Sequence, residues 1–232
     1  MPVTDLLLVV ILGLGVPRFL VPFFLPAFFD GLGPLAIAVA LVFQSLCLAG
    51  AVRMVARRHG LGREDLGLRP ATGAQLLHAA MMLPVVLLLV AVSNAGISAL
   101  TGEPFDNPQI QAIAPALGGI GDLVVLVLFA GVLVPAIEEV AFRGLLQGWL
   151  RRRLSPVPAI GAGAFCFAVL HGIPLLIVPL FLVGLVLGWL YERDGSLLPP
   201  ILLHAAFNAF TMTVLYLELT GDLAAALPFG AL

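Results

Sequence analysis

Lysine is missing from this chain; all eleven basic residues are arginine. Charge of either sign is scarce, at 10% of 232 residues, where soluble domains carry about 25%. With 61% hydrophobic residues and a mean hydropathy of +1.15, the composition excludes a soluble domain. The two cysteines, Cys47 and Cys166, each sit inside an apolar run and read as small buried hydrophobes, which excludes a disulfide framework and a thiolate metal site. Strand-like alternation is absent, which excludes an outer-membrane barrel. No internal repeat is evident, which counts against a transporter built from duplicated halves. The basic residues stand at span ends, so the net charge of -2 carries no sign of a nucleic-acid partner.

What is present is a series of long apolar segments. We expect an all-α, polytopic transmembrane helical bundle of about seven spans, with a range of six to eight. Leu6 to Phe29 opens the series, broken by Pro17, Pro22 and Pro26, with Arg18 between. It reads as a kinked first span and not a removed signal, since no basic n-region or small-residue cleavage site is seen. Arg18 is assigned to snorkelling or a helix contact. Gly31–Gly33–Pro34 reads as a turn. The next spans are Leu35 to Ala56 and Ala74 to Leu100. Between them lies a basic loop with Arg53, Arg57, Arg58, Arg63 and Arg69, in which His59 is taken as solvated. Asp122 to Leu150, Pro156 to Leu170, Leu175 to Tyr191 and Leu197 to Leu217 complete the count. Every second loop carries the arginines, which places those loops and the N-terminus in the cytoplasm. These loops also suit lipid headgroups. His78 lies near the cytoplasmic start of a span and is given no role. The division expected is 1–120 as scaffold helices, 121–217 as a catalytic core and 218–232 as a short apolar tail.

Ionisable groups at membrane depth are costly, rare and usually functional. Within the apolar runs lie Glu138, Glu139, Arg143, His171 and His204. On a helix, Glu139 and Arg143 are four apart and pair. Glu138 then points about 100° away. At a rise of 1.5 Å per residue, Glu138 lies roughly 20 Å from the cytoplasmic end of its helix, His171 about 22 Å and His204 about 14 Å. Asn208 shares a face with His204, and Phe167 with His171. Such a set suits water activation by a carboxylate and an imidazole, with a second imidazole and an amide donating to an oxyanion. The same residues also allow a zinc site, with Glu138, His171 and His204 as ligands and Glu139 as base. The soluble zinc-protease motif His-Glu-x-x-His is absent.

Glu-Glu-x-x-x-Arg (138–143), Phe-x-x-x-His (167–171) and His-x-x-x-Asn (204–208) resemble, in order, the three motifs of the CAAX protease and bacteriocin-processing (CPBP) family. That family includes type II CAAX prenyl endopeptidases and lysostaphin resistance protein A-like proteins. The resemblance covers about residues 121 to 210. It implies an intramembrane endopeptidase with a cytoplasm-facing cavity. It implies that Glu138 and His171 activate water, that His204 and Asn208 form the oxyanion site, and that Glu139 and Arg143 are supporting. Phe167 is read as packing that orients the site. No metal is required in this reading, because asparagine is a poor zinc ligand. Zinc is the alternative cofactor.

The expected partners are membrane lipids and a peptide or a membrane-associated protein, such as a prenylated CAAX protein. The expected location is the plasma membrane of a prokaryote. Two rival readings use the same residues. One is a non-proteolytic immunity or regulatory protein that binds a peptide or membrane partner in the cavity. The other is a proton-coupled transporter using Glu138 and the histidines as a relay.

Overall fold

The computed structural model describes residues 1–21 and 34–221. The expected breaks at Pro22 and Pro26, the turn at Gly31–Gly33 and the tail from Leu223 lie outside the described residues. Among those described, six helices are long and apolar enough to cross a membrane: α1 (Val3–Val21), α2 (Leu35–Arg58), α3 (Gly73–Thr101), α4 (Ile120–Arg151), α6 (Pro174–Asp194) and α7 (Leu198–Thr220). The seventh, α5 (Pro156–Leu170), is an apolar helix of only 15 residues. This shortness refines the expected count and bears on the site below. Many large apolar side chains point outwards, among them Leu7, Leu46, Leu88, Val124 and Phe165, as expected of a bundle solvated by lipid. The chain is an integral membrane protein.

Helix ends follow local rules. Thr72 and Gln75 form a capping box at the start of α3. Gly102, Gly195 and Gly221 adopt left-handed backbone at the ends of α3, α6 and α7. Pro199 and Pro200 stand in the first turn of α7, where a missing N–H costs nothing, so Leu198–Pro200 is helical and not extended.

Nine of the eleven arginines gather at one end of the bundle. Arg151 of α4 donates from Nε to both oxygens of Glu192 in α6, at 2.8 and 2.9 Å. The loop between α2 and α3 folds against the same end. The Leu197 N–H donates to the Gly67 carbonyl at 2.8 Å, and Ser196 Oγ donates to the Arg69 carbonyl at 2.7 Å. His78 meets Arg193 and lies 5.7 Å from the Trp189 ring. His59 is not solvated: its Nε2 lies 2.6 Å from Oδ2 of Asp5, a buried carboxylate that also draws Arg58 to 3.7 Å. Burying Asp5 without a cation would be costly, and His59 and Arg58 supply the partners.

Candidate functional site

Pro135 governs the local shape of α4. It has no N–H, and the helix meets it with a π-helical segment, Val127–Leu133. Val134 N–H bonds back to the Phe129 carbonyl, so in this register the next donor, for the Ala130 carbonyl, would come from Pro135. Asn208 of α7 fills that gap: its Nδ2 donates to the Ala130 carbonyl at 3.1 Å. A second π segment, Val140–Gln147, follows the glutamates. Glu138 and Glu139 therefore occupy a six-residue α-helical island, Val134–Glu139, between two widened turns.

Glu139 is fully buried and Arg143 is 2% exposed. Arg143 donates from Nη1 to Glu139 Oε1 at 3.0 Å and from Nη2 to the Gly184 carbonyl at 3.3 Å. At Gly184 α6 passes so near α5 that a Cβ there would lie 3.0 Å from Ala164. Glu139 has a second partner that its spacing did not reveal. His204 Nδ1, on α7, lies 2.8 Å from the same oxygen. A carboxylate oxygen only accepts, so Nδ1 carries the proton and the other ring nitrogen is turned elsewhere. That nitrogen, Nε2, lies 3.9 Å from Glu138 Oε2. Glu138 thus faces His204 across a gap too long for a direct hydrogen bond.

His171 stands at the C-terminal cap of α5, with Nδ1 2.7 Å from the Phe167 carbonyl. The carbonyl accepts, so this nitrogen also holds the proton and Nε2 keeps its lone pair. No hydrogen bond or ion pair joins His171 to Glu138 among the described residues. Phe167, fully buried, sits between the parts. Its ring is 4.6 Å from His171, 5.7 Å from His204 and 5.1 Å from Phe142, each edge-on or tilted, and Arg143 lies 4.5 Å from its centre. Phe167 therefore fixes both imidazoles and the cation by contact with one rigid ring. Two further polar contacts were not visible in the motifs. Gln147, 1% exposed, donates to the Gly188 carbonyl at 3.0 Å one turn below Arg143. Arg18, from α1, donates to the carbonyls of Leu170 and His171 and so caps the end of α5.

The conditional zinc set does not fit this arrangement. No three His, Cys, Asp or Glu side chains among the described residues are placed to hold one ion. His171 and His204 each have one nitrogen committed to a protein acceptor.

Residues 120–210 match the family model "Type II CAAX prenyl endopeptidase Rce1-like". The matched region begins at the first residue of α4 and ends two residues after Asn208, so it holds all three motifs and both faces of the buried cluster. The Rce1-like match supports membership of the CPBP family and a membrane protease activity. No curated protein and no solved structure matches the chain.

Proposed function

We propose that this protein is an intramembrane endopeptidase that hydrolyses a peptide bond of a membrane-associated protein or peptide. The observation that carries the proposal is the arrangement of Glu138 opposite His204, whose other nitrogen is anchored on the buried Glu139–Arg143 pair. Water held by Glu138 and by Nε2 of His171 is the nucleophile. Glu138 takes its proton as the water attacks the carbonyl carbon, and returns it to the leaving amine as the tetrahedral intermediate collapses and the C–N bond breaks. His171 is fit for the task because the Phe167 carbonyl fixes its tautomer, leaving Nε2 to accept.

The developing oxyanion needs donors placed before the reaction. As the imidazolium, His204 donates from Nδ1 to Glu139 and offers its Nε2 proton to the oxyanion. Asn208 offers its second amide proton, the first being committed to Ala130. Glu139 and Arg143 are positioning residues in this scheme. The helices before residue 120 and α6 serve as scaffold. The proposal derives no step through a metal.

The test is cleavage of a fluorogenic, prenylated CAAX peptide and of unprenylated membrane-anchored peptides by purified protein in detergent, where both faces are open. Wild type cleaves at least one of them, Glu138→Ala cleaves none, and a zinc chelator leaves the rate unchanged. Full activity in Glu138→Ala refutes the mechanism. Loss with chelator in the wild type would mean a metal site assembled on these residues.

A further inference from the structure

We infer that Gln147 is a positioning residue for the site: its bond to Gly188 sets the height of α6 against α4, and so holds Arg143, Glu139 and His204 where the proposed reaction needs them. Three polar contacts join the two helices. Arg143 donates to the Gly184 carbonyl at 3.3 Å, Gln147 to the Gly188 carbonyl at 3.0 Å and Arg151 to the Glu192 carboxylate at 2.8 Å. Each acceptor stands 41 residues after its donor. A constant offset, repeated at each turn, means that α4 and α6 run in the same direction and in step. The ladder leads from the partly exposed ion pair at the helix ends inwards to the cation beside Glu139.

The rungs are not equal. The outer one is an ion pair whose side chains are 32% and 25% exposed, where water competes and little stability follows. The inner one uses the longer bond of Arg143, whose nearer partner is Glu139. Gln147 is buried, and its amide has no water to fall back on. The glycines of α6 are placed for this use. Gly184 and Gly188 have Gly-x-x-x-Gly spacing, which in a membrane helix lets a neighbour come close to the backbone. Both are buried, so they face the bundle and not the lipid. A Cβ on Gly188 would lie 2.9 Å from Gln147 Oε1 and 3.1 Å from Ile160. One on Gly163 of α5 would lie 3.9 Å from the same side chain. Gln147 thus fills a slot that exists because residue 188 is glycine, with α5 closing its other side.

Arg143 carries the effect to the site. It is fixed by Glu139, by the Gly184 carbonyl and by the Phe167 ring. Between the two glycines α6 has Leu185, Val186 and Leu187, whose side chains hold no polar group to set its height. Without the Gln147 rung α6 is free to shift against α4, and the 3.3 Å bond of Arg143 is the first to be lost. Arg143 then follows its remaining anion, Glu139, whose Oε1 also accepts from His204 Nδ1. That oxygen does not move without turning the imidazole. Gln147 touches no substrate in this scheme and acts through Arg143. The loss of rate rests on the peptidase reading; the displacement of His204 does not.

The experiment compares wild type, Gln147→Leu, Gly188→Ala and the double variant as full-length protein in detergent. Leu215→Ala, a buried change near the C-terminal end of α7, controls for destabilisation alone. Histidine is labelled with nitrogen-15, and the Nδ1 resonance of His204 is assigned by its loss in His204→Gln. Both rung variants are expected to shift or broaden that resonance, while Leu215→Ala leaves it in place. In peptide cleavage kcat is expected to fall at least about tenfold with KM within about twofold, as for a misplaced group. The double variant is expected to fall no further than either single variant, because both break one bond. An unmoved His204 resonance in the rung variants overturns the inference whatever their rate. So does a moved resonance with the wild-type kcat, or a double variant whose losses add. If Gln147→Leu does not accumulate, Gln147→Asn, a methylene shorter, is read by the same criteria. If the wild type cleaves nothing, the peptidase reading fails, and the resonance alone decides whether Gln147 positions His204.

Discussion

Replacing Glu139 by alanine removes two interactions at once, and a second substitution separates them. Arg143 would keep the Gly184 carbonyl at 3.3 Å and the Phe167 ring at 4.5 Å, but no anion at contact distance on its own helix. Breaking a buried pair by removing one partner costs about 3–5 kcal/mol, because the other charge stays buried. For a chain of this size, 3 kcal/mol corresponds to a fall in Tm of roughly 6–12 °C. His204 also loses the acceptor 2.8 Å from its Nδ1, so its ring is free to rotate. Losing the carboxylate that orients a catalytic imidazole costs about 10²–10⁴ in rate. Adding Arg143→Met replaces the stranded cation with an apolar side chain of similar volume, which recovers most of the stability. It gives nothing back to His204, so activity stays low. The assay is unfolding in detergent followed by fluorescence, beside peptide cleavage, for wild type, Glu139→Ala, Arg143→Met and the double variant. The reasoning is refuted if Glu139→Ala is within about 1 kcal/mol of wild type, or if the double variant regains cleavage together with stability.

Three further outcomes are expected. Glu138→Gln lowers the cleavage rate by about 10²–10⁴ with little change in the unfolding curve, since the Glu138 side chain makes no direct hydrogen bond among the described residues; an equal loss of stability would assign it a structural role. Asn208→Leu strands the Ala130 carbonyl at a cost of about 1–3 kcal/mol, and Pro135→Ala in the same chain restores an N–H near it and recovers stability without recovering activity; strict additivity of the two changes would refute the pairing. Gly144→Ala forces the Leu66 backbone away at a cost of about 1–3 kcal/mol and speeds tryptic cleavage at Arg63, whereas an unchanged digestion pattern would show that the loop does not rely on that approach.

The sequence by itself determined the class of the molecule and the inventory of its polar groups. Apolar runs of span length leave the chain no alternative to membrane helices, because every backbone N–H and C=O in lipid must be paired within the helix. The costly residues in those runs, Glu138, Glu139, Arg143, His171 and His204, announce themselves by their depth, and the Glu139–Arg143 pair follows from helical spacing alone. Partnerships between helices do not follow from spacing. That His204 binds the same oxygen as Arg143, that Asn208 answers for the proton missing at Pro135, and that Phe167 lies between two imidazoles all depend on how α4, α5 and α7 are rotated and offset. His59 failed as a solvated residue for the same reason: its partner, Asp5, is 54 residues away in the chain. The seat of the 60–72 loop is equally hidden: its composition says only that it is charged, yet Gly144 and Gly67 let its backbone press inside the bundle. Helical periodicity fixes which side chains share a face of one helix. Only packing decides what each face meets.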